Sequence, residues 1–119
     1  MQRFETLQIW QESIKFGVLI DGLTKKFPKD ELYSLTNQLR RAAVSISSNI
    51  AEGSGANSVL DFSRFIDIAI KSNMEVISQV LFAEKLGYLT PEESKSSVEL
   101  GTDLIKRIRA FKKYLLTKT

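Results

Sequence analysis

Five polar residues, Gln38, Arg41, Ser45, Asn49 and Glu52, recur at helical spacing. At about 100° per residue they fall on one narrow face of a helix. Two chemistries suit such a stripe. One is a hydrogen-bonded seam against a following helix, with Ser72, Asn73 and Glu75 as partners and Arg41 neutralised by Glu52 or Glu75. The other is a surface shared with a ligand or a nucleic acid.

Catalysis has little to work with. The chain contains no histidine and no cysteine, which removes the commonest general base and the thiolate nucleophile. The same absence excludes thiolate metal sites and di-iron centres of the Glu-x-x-His type. Glu92 and Glu93 are adjacent carboxylates, but they follow Thr90-Pro91 at a helix start, where the dipole accounts for them. Gly53-Ser54-Gly55 follows a helix and lacks the lysine and spacing of a phosphate loop. The expectation is a protein that is not an enzyme, with no cofactor, no metal and no small-molecule substrate.

Cations are the stronger signal. The last fourteen residues carry Lys106, Arg107, Arg109, Lys112, Lys113 and Lys118 with no acid among them, whereas residues 65–105 hold three basic and seven acidic side chains. Lys106, Arg109 and Lys113 share one side of a helix, and Arg107 points elsewhere. Arg40 and Arg41 are adjacent, so they point about 100° apart and serve different purposes. Arg40, Lys106, Arg107, Arg109, Lys112 and Lys113 are therefore the nucleic-acid-binding candidates. Such groups neutralise phosphates without reading bases. The alternative is a solvated helix end whose cations suit the dipole.

The elements that position these residues are four helices. Helix 1 is expected from about Glu5 to Lys26, with Leu7, Trp10, Ile14, Val18 and Leu23 as its inner stripe. Phe27-Pro28 breaks the chain, and Asp30 is a candidate cap. Helix 2 runs from about Glu31 to Ala51, and Leu32, Leu35, Leu39, Ala42, Ile46 and Ile50 step along it by threes and fours. Gly53 is placed for a left-handed cap. Ser58 caps helix 3, Val59 to about Leu86, whose inner side holds Phe62, Phe65 or Ile66, Ala69, Asn73, Val76 or Ile77, Val80 and Leu86. Gly87 ends it. Thr90-Pro91-Glu92-Glu93 opens helix 4, which reaches about Leu116 with Val98, Gly101, Ile105, Ile108, Phe111 or Lys112, and Leu115 inside.

Short connections make sequential helices antiparallel, giving an all-α, up-down-up-down four-helix bundle. At 119 residues, with 43% hydrophobic and 26% charged side chains, residues 1–119 suit one domain. The N-terminus reads as no signal peptide, and charges recur too often for a membrane span, so a cytoplasmic setting and no membrane partner are expected. Helix 2 also carries small residues, Ala42, Ala43, Ser47, Ser48 and Ala51, which allow close helix contact from a second side. Phe4, Phe16, Tyr33 and Tyr114 lie off the apolar stripes. Both features point to self-association.

The string from Leu35 to Gly53, with its core Arg41-Ala42-Ala43-Val44-Ser45-Ile46-Ser47-Ser48-Asn49-Ile50-Ala51-Glu52-Gly53, resembles the signature of the bacterial 23S rRNA intervening-sequence protein family. The likeness extends to Leu7 and Trp10, to Ile68-Ala69 with Ser72 and Glu75, and to Leu86-Gly87-Tyr88-Leu89, so it spans nearly the whole chain. It implies a four-helix bundle and a homopentamer. Some members are encoded inside ribosomal RNA insertions, and a related branch, the accessory variability determinant of diversity-generating retroelements, binds nucleic acid and a reverse transcriptase. The resemblance assigns no catalytic residue, and marks Arg41, Ser45, Asn49 and Glu52 as shared architecture. The expected function is a non-catalytic oligomer that binds RNA or a ribonucleoprotein through basic surface. The alternative is a protein-interaction or scaffold module.

Overall fold

The structure, a computed structural model, describes residues 4–118. Four helices dominate it: α1 (Gln8–Thr24), α2 (Asn37–Ser54), α3 (Val59–Lys85) and α4 (Pro91–Leu116). Each packs on its sequence neighbour and α4 closes against α1, which gives the four-helix bundle expected from the periodicity. The α2–α3 contact is the most extensive and the α1–α4 contact the thinnest. The bundle measures 47 × 24 × 20 Å.

The core follows the apolar stripes of α2, α3 and α4. Leu39, Ile46, Ile50, Ile66, Val76 and Ile108 are fully buried, each side chain contributing about 1.5–3 kcal/mol of burial energy. On α1 the expected stripe holds in part: Leu7, Trp10 and Leu23 are half-buried and pack against the core, but they are not its innermost residues. Ile9, Ser13, Phe16, Ile20 and Thr24 face the core, while Ile14 and Val18 are 39% and 67% exposed. Phe16, expected off the stripe, is thus a core residue. Ser13 and Thr24 tolerate burial because their hydroxyls donate to the carbonyls of Ile9 and Asp21, both at 2.6 Å. Tyr33 and Tyr114 are exposed as expected, and half-buried Phe4 packs edge-on against Trp10 at 5.2 Å.

The small side of α2 is occupied by α1 of the same chain. Ala42, Ala43 and Ser47 are buried, and a Cβ added to Gly17 of α1 would lie 3.8 Å from the Ala43 carbonyl. Ser48 and Ala51, the other small residues of that side, are half-buried.

Three connections differ from expectation. Helix 2 does not begin as a regular α-helix: a 3₁₀ turn (Lys29–Glu31) and a π turn (Leu32–Thr36) precede α2, and no side chain caps either. Asp30 lies inside the first turn rather than at a cap, and the wider second turn swings Leu32 off the stripe to the surface. Gly53 does not end α2; it is helical and buried, and the helix continues to Ser54 with Gly55 as its cap at φ −93°. Leu86, at the α3 cap, is exposed, and Ala83 fills the core position instead.

Other boundary signals read as expected. Ser58 accepts from the Asp61 amide. Gly87, at φ +81°, is the one described residue in the left-handed region. Thr90 and Glu93 form a reciprocal capping box behind Pro91. At this end of the bundle Lys26 pairs with Glu93, the Tyr88 ring packs at a 45° tilt against Phe27 with centroids 5.4 Å apart, and the Tyr88 hydroxyl donates to Glu31 at 2.7 Å.

Candidate nucleic-acid interface

The polar stripe of α2 divides into a lock and two solvated flanks. Ser45 and Ser72 join α2 to α3 through their hydroxyls at 2.8 Å, and the Asn49 amide donates to the Ser45 carbonyl and hydroxyl at 2.8 and 2.9 Å. This is the hydrogen-bonded seam, and Ser72 is its partner on α3. Asn73 faces the other way, donating to the Gly101 carbonyl of α4 at 3.2 Å. Glu75 is exposed and, among the described residues, accepts from Gln79 at 3.4 Å.

The expected neutralisation of Arg41 by Glu52 or Glu75 does not occur. Arg41 and Glu52 are exposed, and neither side chain pairs with a described residue. Solvent screens both charges, so neither needs a partner. Gln38, also exposed, borders a shallow groove with Glu31, Ser34 and Phe82. There Glu31 accepts from Ser34 at 2.6 Å as well as from Tyr88. The Ser34 bond, followed by the Tyr88 bond, holds the Glu31 carboxyl below its ordinary range, and the same carboxylate pushes the Tyr88 phenol up.

The cations sort into paired and unpaired groups. Arg40 bridges α2 to α1, its Nε 3.0 Å from both Asp21 Oδ1 and Thr24 Oγ1. Arg107 pairs with Glu12 of α1 and, at 3.0 Å, with Asp103. Lys112 pairs with Asp67 of α3 at 2.7 Å. The acid-free run at the end of the sequence is thus partly compensated by acids brought in from other helices. Lys106, Arg109 and Lys113 are exposed and make no ion pair among the described residues. Lys118 lies 4.8 Å from the centre of the Tyr114 ring.

Lys71 of α3, not singled out in the sequence, joins the unpaired group. It lies in an open groove of about 630 Å³ between α3 and α4, lined by Asp67, Ile70, Lys71, Met74, Arg109, Lys112, Lys113 and Leu116. Its place could be read only by setting α3 beside α4, because its own sequence neighbourhood is acidic overall. A second groove, about 440 Å³ between α1 and α4, has an apolar floor of Phe16, Leu19, Leu100 and Leu104 and the Glu12–Arg107–Asp103 cluster at its rim. Among the described residues no group of three or more His, Cys, Asp or Glu is placed to hold a metal ion. No described helix is long and apolar enough to cross a membrane.

Fold and surface together define a class: an all-α antiparallel four-helix bundle whose α2–α3 seam is locked by Ser45, Asn49 and Ser72. Residues 5–110 match the family model described as 23S rRNA-intervening sequence protein, and the chain belongs to that family. A crystal structure of a protein of unknown function from the S23 ribosomal protein family of Bacteroides thetaiotaomicron is similar, with a TM-score of 0.81 and 26% identity over 88% of this chain and 98% of that one. No curated protein matches the chain. Neither the family description nor the similar structure carries a catalytic activity.

Proposed function

We propose that this chain is a non-catalytic, cytoplasmic, oligomeric bundle that binds RNA or a ribonucleoprotein through its basic surface. The observation that carries the reading is a set of exposed cations on α3 and α4, Lys71, Lys106, Arg109 and Lys113, which make no ion pair among the described residues, whereas Arg107 and Lys112 do. Unpaired surface cations release counterions from a phosphate backbone on binding, whereas paired ones must first give up an ion pair. The family's description, 23S rRNA-intervening sequence protein, associates it with ribosomal RNA and is in keeping with that partner class.

Oligomerisation draws on a different face. Gly17 and Ala43 meet where α1 crosses α2, and the residues that follow them, Val18 and Val44, are 67% and 61% exposed. Ile14 adds to this apolar α1–α2 surface, and Tyr33, 91% exposed, lies just before α2. A second copy is the proposed cover, and the family resemblance suggests five subunits. Light scattering of the wild type is expected to give a mass several times 13.5 kDa, and Val18→Glu with Val44→Glu is expected to return it to the monomer.

Fluorescence anisotropy of a labelled, structured RNA titrated with the protein tests the binding reading. Saturable binding at micromolar protein in low salt is expected, and its absence would sink the reading. The exposed apolar side chains favour one rival, a scaffold that binds only proteins. Recovery of a protein partner after nuclease treatment, with no RNA binding by the purified chain, would favour it.

A further inference from the structure

We propose that the α3–α4 groove is a binding site for the phosphodiester backbone of RNA, held by Lys71, Arg109 and Lys113, with the Asp67–Lys112 pair limiting its affinity. The proposal rests on the RNA reading above and adds to it a place and a restraint. Lys71 stands on one wall of the groove and Arg109 and Lys113 on the other, so a strand lying between them meets cations from both sides. Arg109 and Lys113 are one helical turn apart, about 6 Å along the axis, which spreads the charge along the groove instead of focusing it on one point. That distribution suits a chain of phosphates better than a single phosphate ion.

The walls are not uniformly charged. Met74 and Leu116, 54% and 41% exposed, give sugars and base edges an apolar surface beside the cations. The groove is open, about 630 Å³, and the Asp67–Lys112 pair links its two walls. An open, phosphate-directed site of this kind positions a strand without selecting its sequence.

Asp67 is the one carboxylate in the lining, and its Oδ1 lies 2.7 Å from Lys112 Nζ. It neutralises the fourth cation of the groove and repels an incoming phosphate. Removing that charge releases Lys112 to the ligand.

The test uses the full chain and a labelled RNA hairpin in low salt, with circular dichroism and urea unfolding to establish that every variant is folded. Lys71→Ala, Arg109→Ala and Lys113→Ala combined are expected to lower the affinity by about a hundredfold. Lys25→Ala with Lys29→Ala, exposed cations of the α1–α2 connection outside the groove, are expected to leave it within about twofold. Asp67→Asn is expected to tighten binding several-fold, although it removes a salt bridge from the fold.

Wild-type binding that the triple variant retains would overturn the groove while leaving the wider RNA reading in place. No binding by the wild type would overturn both. If Asp67→Asn weakened binding, the limiting role of the ion pair would be wrong. Equal competition by poly-glutamate and RNA at matched charge would replace the phosphodiester with an acidic peptide.

Discussion

Gly53 lies so close to Phe65 that a Cβ on the glycine would stand 2.7 Å from the Phe65 Cβ, and equally close to the Phe62 ring. This contact, between the last turn of α2 and the first turns of α3, fixes how tightly the α2–α3 connection can fold. It also explains why glycine stands inside a helix, where its propensity is poor.

Gly53→Ala sets two effects against each other. Helix propensity favours alanine by about 1 kcal/mol, and overpacking costs about 1–3 kcal/mol. The Phe62 ring can tilt away, but the Phe65 Cβ moves only with its backbone, so destabilisation is expected to win. Gly55→Ala is the control, since its Cβ would meet nothing closer than the Glu52 carbonyl at 3.6 Å. Urea midpoints should fall for the first variant and hold or rise for the second.

Asn73 is fully buried, and its Oδ1 has no partner among the described residues while its amide donates to the Gly101 carbonyl. Asn73→Ala opens a cavity and loses that bond, an expected cost of about 2 kcal/mol. Asn73→Leu fills the space and removes the unpartnered oxygen, while the Gly101 carbonyl keeps its place in the α4 helix. The leucine variant is therefore expected to match or exceed the wild type in urea unfolding, and the alanine variant to fall below it.

The Glu31–Tyr88 bond predicts a pH signature with two limbs. Folding lowers the Glu31 pKa, mainly through the Ser34 bond and then through Tyr88, so its contribution is present above the unfolded value and is lost as pH falls through the lowered one. Folding raises the Tyr88 pKa through its bond to Glu31, so that contribution is present below the unfolded value and is lost as pH rises through the raised one. The stability difference between wild type and Tyr88→Phe should be level near neutrality and shrink below about pH 4 and above about pH 10. Urea midpoints measured across that range decide it, and a difference constant throughout would contradict the assignment.

The α2 stripe was legible because its inner positions are almost all apolar, and the capping box of α4 because Thr90-Pro91-Glu92-Glu93 satisfies the end of a helix by itself. The innermost face of α1 is hidden from the sequence for a physical reason. Two of its buried positions, Ser13 and Thr24, are polar, and each bonds to a carbonyl of its own helix, so the true core face looks less apolar than the Ile14–Val18 face beside it. Gly53 resembles a stop because a sequence shows conformational freedom but not the approach of Phe62 and Phe65. In the cationic surface, sequence blocks misled in both directions: Lys112 and Arg107 find acids far along the chain, while Lys71 emerges from an acidic stretch to stand opposite Arg109 and Lys113. Charge belongs to faces, and faces are made by packing.

The most direct test of the central claim is the salt dependence of RNA binding by the unmodified protein. With Lys71, Lys106, Arg109 and Lys113 each neutralising a phosphate, a plot of log affinity against log salt is expected to be linear with a slope of about −3. Binding that does not change with salt, or no binding at the lowest salt, would contradict it.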